Sequence, residues 1–211
     1  MKKLFTAIRK EDFESVKDII EKKPETVNCV STGAPKKDFG QSPLQVALKS
    51  SSTEIIHYLL DKGADVNFIE KENSVNPWRA PVIHDAINRA VMCSRWNIVR
   101  DEGIEVFNNK EKADEAFEIL KRIIELGADV NQKDSYSNAC LDRACLQACQ
   151  ILPRKAYNDR LLTNELKSDI ERIFNLLIES GADLNYINSI TARTMTYAEE
   201  YMDETLGMFL R

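Results

Sequence analysis

GADVN at Gly63–Asn67, GADVN at Gly127–Asn131 and GADLN at Gly181–Asn185 are three near-identical pentapeptides in one chain of 211 residues. Each closes an amphipathic segment. The first is EIIHYLLDKG (Glu54–Gly63), the second EAFEILKRIIELG (Glu115–Gly127), the third DIERIFNLLIESG (Asp169–Gly181). Apolar residues recur in them at three- and four-residue steps, the period of a helix with one buried face. The glycine then falls where a helix ends on a positive φ, a conformation that only glycine adopts without penalty. One structural unit stacked on itself is the expected outcome.

Ahead of the first copy runs FGQSPLQVALKSSS (Phe39–Ser52), in which Ser42 suits an N-cap and Pro43 the first helical position. With Gly40, SPLQVA and a second helix closing on GADVN, the stretch Asp38–Asn67 resembles an ankyrin repeat. Further boxes align with SPLQVA: PVIHDA (Pro81–Ala86), ACLDRA (Ala139–Ala144) and RTMTYA (Arg193–Ala198). LFTA (Leu4–Ala7) opens an earlier unit that closes at Val27-Asn28, with Pro24 in the glycine's place. The resemblance implies an all-α ankyrin-repeat solenoid of stacked helix-turn-helix units with hairpin-like fingers. It would form a single domain over 1–211, with approximate repeats 1–28, 38–67, 78–131, 134–185 and 188–211.

The spacing is irregular. Asn28 to Asn67 is 39 residues, Asn67 to Asn131 is 64 and Asn131 to Asn185 is 54, against about 33 for a standard unit. Val30–Lys37 and Phe68–Arg79 lengthen two fingers, while Cys93–Lys112 and Gln150–Leu166 are inserted between the helices of a repeat. Stacked units present equivalent loops on one edge, so the two insertions are expected side by side. RDEGIE (Arg100–Glu105) reads as a solvated loop. At the end of the chain, Met208, Phe209 and Leu210 stand where a second helix is missing and read as a plug.

Composition excludes several classes. Lys and Arg number 29 against 34 Asp and Glu, a net charge of -5, which disfavours nucleic acid as a partner. No stretch reaches the roughly 18 apolar residues of a membrane span. Five cysteines without framework spacing suit reduced thiols, so a cytoplasmic, monomeric protein is expected. No phosphate-binding, hydrolase-elbow or zinc-protease motif occurs, and no cofactor or metal is called for. Cys140, Cys145 and Cys149 lack a nearby fourth ligand for zinc. Of the two histidines, His84 sits in the box position that the family uses for a structural hydrogen bond, and His57 reads as a surface residue.

The expected function is therefore non-enzymatic: recognition of a protein partner, as the resemblance implies, through the concave face of fingers and first helices. Four residues before each proline slot stand Phe39, Trp78, Tyr136 and Ile190. Aromatic side chains are enriched among interface hot spots, so this row is the candidate binding site; alternatively the long fingers fold back and bury the rings, Trp78 first. Lys49, Arg89, Gln147 and Tyr201 stand at the adjoining first-helix positions. Within the binding class, an inhibitor or immunity partner of a toxin or enzyme, or a secreted effector, also fits. A cysteine-dependent enzyme using Cys93 or Cys145 near His84 would need an exposed, reactive thiol.

Overall fold

The computed structural model describes residues 2–33, 35–50, 52–72, 77–154, 159–191, 194–201 and 204–210. Arg193, which opens the last box, lies outside the described residues. Helix starts follow the capping signals. Ser42 and Gln45 form a reciprocal capping box at the head of α3 (Pro43–Ser50), with Oγ accepting from the Gln45 N–H and Oε1 from the Ser42 N–H. Ser52 caps α4 (Thr53–Asp61), Asn109 caps α6 (Lys110–Glu125) and Thr163 caps α8 (Asn164–Glu179) through side-chain oxygens. The remaining helices are α1 (Lys2–Arg9), α2 (Phe13–Lys22), α5 (Val82–Met92), α7 (Cys140–Ala148) and the short α9 (Tyr197–Glu200).

Two rows of helices result. The first helix of each pair packs on the next, α1 on α3, α3 on α5 and α5 on α7, while α2, α4, α6 and α8 make the second row. Burial follows from the apolar stripes: Leu44, Ile56, Ile83, Ile87, Ile119, Ile173 and Phe174 are sealed between rows. Gly63, Gly127 and Gly181 end α4, α6 and α8 at φ of 81°, 94° and 94°. The amide of the following alanine reaches back to Leu59, Ile123 and Leu177 respectively, closing each helix end.

Asn28 and the asparagines of the first two pentapeptides each tie one unit to the next. Asn28 Nδ2 donates to the Gly63 carbonyl at 3.0 Å, and its Oδ1 accepts from the Asp65 N–H at 2.8 Å. Asn67 makes the same pair with Gly127 and Asp129. Asn131 repeats it with Gly181 and Asp183. Within each pentapeptide the aspartate accepts from the asparagine's own amide at 2.8–2.9 Å, which fixes the turn that presents the side chain.

Three expectations need amendment. The chain is mostly helical but not all-α: Asn97–Arg100 (β1) and Gly103–Val106 (β2) form an antiparallel hairpin, so Arg100–Glu105 is strand and turn rather than a loop. Its physical cause is the alternation Ile104-Glu105-Val106 after a turn closed by Gly103 at φ 136°. The insertions do lie side by side, since the Val99 N–H donates to the Asp159 carbonyl. At the C-terminal end Leu206, Phe209 and Leu210 are buried and Phe209 stacks on Phe174 at 5.9 Å, but Met208 faces solvent. His57 is half-buried rather than superficial, with Arg122 donating to its Nδ1 at 2.8 Å.

Candidate functional site

The fingers are stitched to one another through backbone groups and the Asn188 side chain. The Lys71 N–H donates to the Gly40 carbonyl at 2.8 Å, and the Ser135 N–H to the Arg79 carbonyl at 3.0 Å. Asn188 Nδ2 donates to the Tyr136 carbonyl at 2.8 Å. Gly40 at φ 80° and Ser137 at φ 59° hold the left-handed corner three residues before their helices.

A buried acid anchors each of the first three fingers. Asp38 receives Arg9. Glu70 receives Lys49 Nζ at 2.8 Å and the Ala80 N–H at 3.2 Å. Asp134 is a hub that accepts from the Trp78 indole at 2.8 Å, from the amides of Tyr136 and Asn138, and from Arg143 at 3.2 Å. Burial pulls the Asp134 carboxyl upward, but hydrogen bonds from Asn138 and Trp78 outweigh it and hold the group ionised, below its ordinary range.

Behind the fingers two further groups are strongly perturbed. His84 is fully buried, 4.0 Å from Asp134. Burial, aided by the Arg143 charge and against the pull of Asp134, lowers it to about 4, so it is neutral near pH 7. Asp85 is also buried, 3.2 Å from Lys49. Burial raises its carboxyl to about 6 despite Lys49, with Glu70 adding repulsion. The side chain that stands where His84 does in the earlier box is Gln45, which donates to the Ala80 carbonyl at 3.0 Å and so bridges to the next finger.

The eight candidate residues do not fare alike. Ile190 is 64% and Tyr136 46% exposed, on fingers joined through Asn188. Phe39 is half-buried and lines a cleft with Val30, Thr32, Lys71 and Glu72. Trp78 is half-buried too: its indole is bound to Asp134, and the Arg143 guanidinium lies 4.7 Å above its ring. Lys49 spans Glu70 and Asp85, while Arg89 turns to the Leu48 carbonyl and the Thr53 hydroxyl at the head of α4. Gln147 is half-buried, and so is Tyr201, which stacks on Tyr197 at 5.7 Å. Sequence reasoning missed the Asp134 hub and the Lys49–Glu70–Asp85 triad. The legible signal was the acidic residue, Asp38, Glu70 and Asp134, that stands ahead of the helix in the first three fingers.

The cysteines offer little nucleophilic character. Cys93 and Cys140 have their thiols pushed up by burial, opposite to activation, and Cys145 is sealed in the core. Among the described residues, no group of His, Cys, Asp or Glu is arranged to hold a metal ion, and no helix is long and apolar enough to cross a membrane.

A family model for the ankyrin repeat matches residues 39–68, the unit that runs from the finger of Phe39 through α3 and α4 to the first pentapeptide. The chain therefore carries an ankyrin repeat, a type of unit that generally mediates contacts between proteins. None of the curated proteins matches the chain.

Proposed function

We propose that the chain is a stack of five ankyrin-type repeats over 1–28, 38–67, 78–131, 134–185 and 188–211, a solenoid that binds a protein partner without catalysing a reaction. The two rows of helices and the asparagine ties between successive pentapeptides support the stack. The reading of a monomeric cytoplasmic binder rests on five free cysteines and a mixed-charge surface.

Recognition falls on the finger row. The observation that carries this is the pair of exposed apolar tips, Tyr136 and Ile190, on fingers locked together through Asn188. A rigid, pre-positioned pair loses little entropy on binding, and large apolar tips bury much area there. Phe39 extends the row across its cleft. Lys49, Trp78, Arg89 and Tyr201 hold intramolecular partners and shape the face more than they contact a ligand. The test is affinity capture from lysate of the source organism with wild type and a Tyr136→Ala, Ile190→Ala double variant, after circular dichroism shows equal folding. A protein retained by wild type and lost by the folded variant is the expected result. Equal retention by both removes the finger row as the binding face.

A further inference from the structure

The hairpin β1–β2 ends in a strand edge that no described residue of the chain pairs with. The Phe107 N–H donates to the Trp96 carbonyl at 2.8 Å, which fixes the phase of the ladder. With Ile98 opposite Glu105 and Arg100 opposite Gly103, the backbone groups of Gly103 and Glu105 face β1 and those of Ile104 and Val106 face away. The other side of the hairpin is already covered. There the Val99 N–H donates to the Asp159 carbonyl, and the Asn97 side chain exchanges two hydrogen bonds of 2.9 Å with the Leu161 backbone. No hydrogen bond from any described residue reaches the outward groups of Ile104 and Val106.

The open edge also has an apolar face and an acidic rim. Val99, Ile104 and Val106 share one side of the hairpin and are 39%, 53% and 56% exposed, with Val99 directly opposite Ile104. On the rim, Glu105 is paired with Arg100 at 2.6 Å, whereas Asp101 and Glu102 are exposed and make no ion pair among the described residues. A second copy of this chain is a poor occupant. Joining Ile104 to Val106 of another copy sets the two Glu105 side chains against each other, and like charges directly opposite are destabilising. Shifting the register to centre on Ile104 brings the two acidic turns over the apolar face instead.

We propose that β2 is a docking edge for an extended segment of a partner protein in which aliphatic and basic residues alternate, added as a third strand. The amides and carbonyls of Ile104 and Val106 supply the main-chain pairing. Aliphatic side chains of the incoming strand continue the Val99–Ile104–Val106 face, and its cations meet Asp101 and Glu102. This surface is separate from the finger row and does not depend on it.

The probe is a synthetic peptide of alternating lysine and valine, titrated into the full chain, with amide hydrogen exchange read at Ile104 and Val106. Exchange at both positions is expected to slow by about tenfold or more at saturation. Val106→Pro removes one outward donor at a site where the ladder does not need it, and abolishes the effect. Asp101→Lys with Glu102→Lys, both on the exposed turn, leaves the fold intact and weakens binding by about tenfold. The proposal is overturned if the peptide leaves both amides unchanged, or if a peptide of alternating glutamate and valine binds as tightly. Protection of the same amides in a peptide-free dimer would assign the edge to a second copy and overturn it equally.

Discussion

Replacing Asp85 by asparagine should make the protein more stable near neutral pH and leave it little changed in acid. Asp85 is buried behind the second finger, and burial raises its carboxyl to about 6 in the folded chain. Unfolded, the group titrates near 3.9. Between these values the folded state holds a proton that the unfolded chain has released. The stabilisation is therefore complete below the unfolded pKa and is lost as the pH rises through about 6. Two pKa units correspond to about 3 kcal/mol in total, of which about 2 kcal/mol falls between pH 4.5 and pH 8. His84 works in the opposite sense over the same range. Its folded pKa of about 4 gives stability that is present above the unfolded value near 6.5 and lost as the pH falls toward 4. In the wild-type profile these two contributions oppose each other, so the informative quantity is the difference between Asp85→Asn and wild type. Urea unfolding followed by far-ultraviolet circular dichroism across that pH range measures it. A difference that does not change with pH would refute the argument, because it would mean that Asp85 ionises in the folded state as easily as in the unfolded one.

The other expectations are local. The imidazole of His84, followed by NMR, should remain neutral down to about pH 5, and a midpoint near its ordinary 6.5 would contradict the burial account. Gly127→Ala should cost about 1 kcal/mol in chemical denaturation, since a Cβ there meets nothing within 4 Å and only the φ of 94° opposes it. Asn67→Ala removes both ties to the next unit and should cost about 1–2 kcal/mol, whereas Asn185→Ala, at the exposed end of the series, should cost close to nothing. Equal losses at the two asparagines would show that the ties between units contribute nothing beyond the local turn.

Much of the helical framework was legible because its signals are local. Ser42 and Pro43 start α3 through groups within one helical turn, and Gly127 stops α6 through its own φ. The hairpin was missed although Gly103 and the Ile104-Glu105-Val106 alternation were in view. Two strands of four residues are a weak period against the strong helical one on either side. The candidate site was legible only as a set of equivalent positions. Phe39, Trp78, Tyr136 and Ile190 share a place relative to their helices, and that place says nothing about what each ring touches.

By itself the sequence determined the repeating unit, its helices and the turn that closes each one, because capping and left-handed glycine act over a few residues. It also determined that the two long insertions would meet, since stacked units carry equivalent loops to the same edge. Only the tertiary structure decided that Trp78 is tied down by Asp134 and Arg143 while Tyr136 and Ile190 stay open. It alone set Lys49 between two buried acids, raising Asp85 and burying His84 beside the next finger. Trp78 and Asp134 are 56 positions apart in the chain, and Lys49 and Glu70 are 21 apart. Exposure and ionisation depend on neighbours that folding brings from the adjacent unit, and no local pattern encodes them.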